Sequence, residues 1–123
     1  MLQIRKEQMD TFSQVELTKF EARIADFLYG EFPDAQEIPR EEFMPVIHEQ
    51  VSKARSYGLE TERQIANYVT TAWLLGQQFD TEFPAAQEML TSSEYTRDDK
   101  SEWLAQWTTE MFAVLEGSKN GLE

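Results

Sequence analysis

Apolar residues recur at three-, four- and five-residue steps along almost the whole chain, and alternating apolar and polar runs of strand length are hard to find. That period suits helices packed on one another, so the expected fold is all-α, a compact bundle of about five helices. With 123 residues the chain fits one domain with a core of its own. The domain is expected over 1–117, with 118–123 a flexible polar tail and Leu122-Glu123 resembling a vector-derived scar.

The first helix is expected from about Arg5 to Tyr29, carrying Met9, Phe12, Leu17, Phe20, Ile24, Phe27 and Leu28 on one side and stopped by Gly30. Pro39 suits the first turn of a second helix with Phe43, Ile47, Val51 and Ala54 on its inner face and Tyr57-Gly58 at its end. Pro45 removes an internal hydrogen bond, so that helix either kinks there or has its main body starting near Met44. Thr61-Glu62-Arg63-Gln64 is a capping box and starts a third helix at Glu62. Its face of Ile65, Tyr68, Val69, Ala72, Trp73 and Gly76 covers a wide arc, as in the most buried element of a bundle, with Gly76 spaced for close packing.

Pro84 begins a short helix through Leu90, and Thr91 to Glu94 reads as a loop. A last helix starts near Arg97 with Thr96 as cap and Asp98 and Asp99 at the positive end of its dipole. Its stripe is Trp103, Trp107, Met111, Val114 and Leu115, and Gly117 closes it. Glu31 to Ile38 and Glu82 to Met89 share six of eight positions. Local convergence explains this echo, because Phe-Pro before an acidic turn anchors and starts a helix; a duplicated helical pair is the alternative.

Charge separates classes of function. Twenty-three acidic residues against eleven basic ones leave a net charge of −12, and the basic residues are scattered. A phosphate backbone needs a lysine- and arginine-rich footprint, so nucleic acid is not an expected partner. Neither an apolar run of membrane-spanning length nor a signal-peptide core is present, so no membrane partner is expected. The absence of cysteine rules out disulfides and thiolate metal sites, and the cytoplasm is the expected location.

The inventory for catalysis is thin. His48 is the only histidine and lacks the paired histidines of a zinc helix, while the many neighbouring carboxylates read as a solvated face. No catalytic residue, metal ligand or cofactor is therefore expected. Trp103 and Trp107, one turn apart on a helix already rich in apolar residues, are candidates either for core or for exposed rings that bind a partner.

Several short motifs occur in order: Ile4-Arg5-x-Glu7-Gln8-Met9, Phe20-Glu21-x-Arg23, Phe32-Pro33, Ala54-Arg55-x-Tyr57-Gly58-Leu59, Glu62-Arg63, Leu75-Gly76-x-x-Phe79-Asp80 and Pro84. Over about residues 4–90 this order resembles a family of small bacterial proteins associated with type VI secretion effector loci. Ala85-Ala86 stands where a tryptophan is expected from that pattern. The resemblance implies a non-enzymatic accessory role. The leading expectation is an immunity protein that neutralises a basic toxin or effector in the cytoplasm, with an adaptor or chaperone as the alternative and a small metal enzyme as a remote third. The residues expected to meet the partner are Glu37, Glu41, Glu42, Asp98, Asp99, Trp103 and Trp107.

Overall fold

In the computed structural model, which describes residues 13–121, the first helix begins one residue after Ser13. Ser13 and Glu16 form a capping box: Ser13 Oγ accepts from the Glu16 amide at 3.1 Å and Glu16 reaches back to the Ser13 amide. Helix α1 (Gln14–Glu31) therefore starts later than the apolar stripe suggested, and Arg5 to Phe12 lie outside the described residues. It also runs through Gly30, ending where the Phe32 amide closes onto the Leu28 carbonyl. Leu17, Phe20, Ile24 and Leu28 are buried, whereas Phe27 is 50% exposed and belongs to the surface.

A five-residue 3-10 turn (Pro33–Glu37) leads to α2 (Arg40–Ser56). Pro45 lies inside α2 without interrupting it, at the cost of the one bond its missing N–H would have made to Glu41. Phe43, Ile47, Val51 and Ala54 are all buried, as the period predicts. The helix ends in a Schellman motif. Leu59 donates to the Ala54 carbonyl and Gly58 to that of Arg55, with Gly58 at φ +91° and Leu59 and Ala54 both buried.

The predicted capping box opens α3 (Glu62–Leu75): the Gln64 amide donates to Thr61 Oγ1, and Gln64 Oε1 accepts from both Glu60 and Thr61 amides. Ile65, Tyr68, Val69 and Ala72 are at most 3% exposed, in keeping with a central helix. Gly76 does not serve close packing. It is the C-cap, at φ +113°, a conformation side-chain-bearing residues rarely adopt.

A single helical turn, α4 (Phe79–Glu82), precedes α5 (Pro84–Thr91) and α6 (Arg97–Gly121). The turn at Phe79 has no sequence signature beyond its aromatic residue. Helix α6 is capped by Thr96, whose Oγ1 accepts from the Asp99 amide at 3.1 Å, and it continues past the expected stop at Gly117. The described residues thus form an all-α bundle of six helices, five of them of eight residues or more. Helix α3 packs against both α2 and α6.

Three polar pairs run along the α3/α6 seam: Gln64 to Asp98, Asn67 to Ser101 at 3.0 Å, and Thr71 to Thr108 at 2.7 Å. Their increasing order on both helices makes α3 and α6 parallel neighbours. The buried line of α6 is accordingly Lys100, Ser101, Leu104 and Thr108, not the predicted tryptophan stripe. Trp103, Trp107 and Met111 sit at its edge and Val114 is 62% exposed, while the side chain of Leu115 lies outside the described residues.

The sequence echo has a shared local geometry. Phe32 and Phe83 both end one helix and precede the next with extended backbone (φ −124° and −107°), and each hands its proline the first helical position. Ala35 and Ala86, three residues on, are fully buried. Phe32 lies against Trp73 and Phe83 against Trp107, with ring centroids 6.2 and 5.3 Å apart. The continuations differ: the first proline starts a 3-10 turn, the second an α-helix.

Candidate protein-binding surface

The seven residues expected to meet a partner do not share one face. Glu37, Glu41 and Glu42 are exposed around the start of α2, beside Phe43, whose ring meets Trp73 near the end of α3. Asp98 accepts from Gln64 in the first turn of α3, and Asp99 accepts from the Thr96 amide. The nine residues between Gln64 and Trp73 separate the two acidic groups by roughly 13 Å along α3. The bundle therefore divides the predicted patch, and Asp98 and Asp99 have structural partners of their own.

Trp103 and Trp107 do come together. Their rings stack at 5.0 Å with an interplanar angle of 15°, and both remain half-buried. Trp107 is anchored from below by Phe83 in a T-shaped contact and by Phe79 at 6.3 Å, which continues inward to Tyr68 at 4.9 Å. One edge of this aromatic column packs on the core and the other faces outward.

Trp103 also lines a depression of about 360 Å³ between α5 and α6, with Ala85, Glu88, Met89, Glu94 and Tyr95. Tyr95 is 47% exposed. Glu88, Glu94 and Tyr95 were not among the predicted site residues, because only the packing of α5 on α6 brings them beside Trp103. Ala85, where the motif pattern leads to the expectation of a tryptophan, is one of the residues lining the depression.

The charge around this depression is one-sided. Residues 77–114 contain eight carboxylates and two basic side chains. Seven of the carboxylates (all but Asp80) are exposed; of the two cations, Arg97 is neutralised at the surface by Glu60 at 3.0 Å, and Lys100, 9% exposed, is buried and donates to the Leu90 carbonyl at 2.9 Å. Asp99 and Glu110 lie one helical turn from Trp103 and Trp107. Rings with carboxylates at their rim suit a guanidinium or ammonium group, through its charge and through the ring face.

His48 offers less. Its Nδ1 lies 2.8 Å from Glu21 Oε2, with the imidazole more than half exposed and the carboxylate buried. Among the described residues no group of three or more His, Asp or Glu side chains converges as a metal site requires. Asp80 is the other buried carboxylate, held by Lys53 at 3.0 Å and by the Tyr57 hydroxyl at 2.7 Å. Burial, then Asp80, pushes the Tyr57 phenol up to about 12, and burial first of all pushes Tyr68 beyond the usual phenol range. Both phenols are neutral over the physiological range; Tyr57 lines a shallow surface cleft with Tyr95, Thr96, Arg97 and Asp98.

No family model matches the chain, nor does any curated protein or solved structure. Ile4 to Met9 lies outside the described residues, and several of the remaining motifs behind the resemblance to secretion-locus proteins fall on local contacts: Ala54 to Leu59 is the Schellman turn, Glu21 holds His48, Arg23 pairs with Glu62 at the surface, and Asp80 anchors Tyr57. Among the described residues no helix is long and apolar enough to cross a membrane.

Proposed function

We propose that this chain is a non-enzymatic binding protein whose α5/α6 face docks on a basic protein, and that its role is that of an immunity protein neutralising a toxic effector in the cytoplasm. The observation that carries this reading is the stacked, half-exposed Trp103/Trp107 pair beside a depression lined by Glu88 and Glu94, on a face where one cation is buried and the other is paired with a carboxylate. Rigid aromatic rings contribute binding energy, and surrounding carboxylates speed the encounter with a cationic partner and disfavour acidic ones. The resemblance of the motif order to proteins of type VI secretion loci is the reason to seek the partner among such effectors.

An adaptor that delivers an effector is the second reading, favoured by Phe112 and Val114, which are 39% and 62% exposed farther along α6. Capture of partners with the full chain, followed by 1:1 mixing and assay of the purified partner's toxic activity, separates the two. Abolished activity supports immunity, activity retained in the complex supports the adaptor, and failure to bind any effector from the same locus overturns both.

A further inference from the structure

A second opening lies away from the α5/α6 face. It is a cavity of about 230 Å³ among α1, α2 and α3, walled largely by Leu28, Phe43, Val46, Ile47, Val69 and Trp73. Most of this wall is hydrocarbon or aromatic ring, held rigid by tilted ring contacts that run from Tyr29 through Phe43 to Trp73. Dry apolar cavities of about 150 Å³ take up a benzene ring, so this one has room for a somewhat larger ring system.

Two wall residues are polar, Gln77 at the surface and Gln50 in the interior. Gln50 is 1% exposed and its Nε2 donates to the Gln77 carbonyl at 3.4 Å, which orients the amide. Its Oε1 has no hydrogen-bond partner among the described residues. A leucine or methionine would fill the same position without the cost of an unpaired buried acceptor. Gln50, with its unpaired acceptor, lines a mostly apolar cavity, which is the usual composition of a small-molecule site: hydrophobic lining and few polar groups.

We propose that this cavity binds a small, neutral, ring-sized apolar molecule carrying a single N–H or O–H donor, and that the donor is received by Gln50 Oε1. The apolar wall supplies most of the affinity, and the amide selects among compounds of one shape by whether they bring a donor. Charged compounds are excluded, since no counter-charge lines the cavity.

The test is an amide-resolved NMR titration of the full chain with indole and with benzofuran, two bicyclic probes of one shape of which only indole has an N–H donor. The expected result is saturable shifts at Val46, Gln50, Val69 and Trp73, with indole favoured by about fivefold, the usual worth of one net hydrogen bond. Gln50→Leu, whose folded spectrum is checked first, should retain binding and lose the preference. Val46→Phe, at a half-buried wall position, should fill the cavity and abolish both. Equal affinity for the two probes overturns the role of Gln50, and the absence of saturable shifts at these residues overturns the site. Neither result bears on the α5/α6 face.

Discussion

The Tyr57 hydroxyl donates to Asp80 Oδ2 at 2.7 Å while Lys53, one turn earlier on α2, donates to Oδ1 of the same carboxylate at 3.0 Å. Asp80 is 3% exposed, so its charge is tolerated only because these donors replace water. Lys53 also holds the Gln77 carbonyl at 2.8 Å, tying the segment after α3 to α2. Lys53→Met should lower unfolding stability in urea by about 3 kcal/mol, because it leaves a buried charge short of a partner. Adding Asp80→Asn should recover part of the loss, since the amide oxygen still accepts from Tyr57 without the charge.

The same cluster sets a response to alkali. The Tyr57 phenol is raised from 10.0 to about 12 in the folded chain, by burial and by Asp80. A raised folded value means the stabilisation is fully present below pH 10, where both states keep the proton, and is lost as pH climbs through about 12. Tyr68 moves in the same direction. Chemical denaturation at a series of alkaline pH values should show stability falling above pH 10, and Tyr57→Phe should flatten part of that fall. An unchanged slope in the variant would remove Tyr57 from the account.

At the α3/α6 seam, Thr71 gives its single hydroxyl proton to the Asn67 carbonyl at 2.9 Å, so Thr108 is the donor in the 2.7 Å contact between the two hydroxyls. Thr71→Val should cost about 1 kcal/mol by stripping a buried hydroxyl of its acceptor. Thr71→Val with Thr108→Val should cost less than the sum of the two single changes. A double-mutant cycle by urea denaturation measures the difference.

For the proposed docking face, Trp103→Ala should weaken partner binding by at least tenfold, as truncation of a central aromatic anchor does. Reversing Glu88 and Glu94 to lysine should slow association most at low salt. Reversing Glu41 and Glu42, at the other end of α3, should leave the association rate within about twofold, the contrast that a charge effect confined to one face requires. Stopped-flow binding at two ionic strengths reads both variants.

What the sequence determined by itself lies within one turn of each deciding residue. Thr61 and Gln64 start α3, Gly58 ends α2 and Pro84 starts α5 through hydrogen bonds and dihedral limits that span three to five residues, so their chemistry is readable without neighbours. The inner faces of α2 and α3 were legible for a similar reason, because the apolar residues of each recur at helical spacing. Stops at Gly30 and Gly117 were not, since glycine permits a helix end without requiring one and both helices run past it. Tertiary structure alone decided which side of α6 is inside: a parallel partner offering Gln64, Asn67 and Thr71 draws Ser101 and Thr108 inward and leaves the tryptophans at the rim. It also decided the candidate site, separating Glu41 from Asp98 and bringing Glu88, Glu94 and Tyr95 to Trp103, because helix packing sets distances between residues that no local spacing encodes.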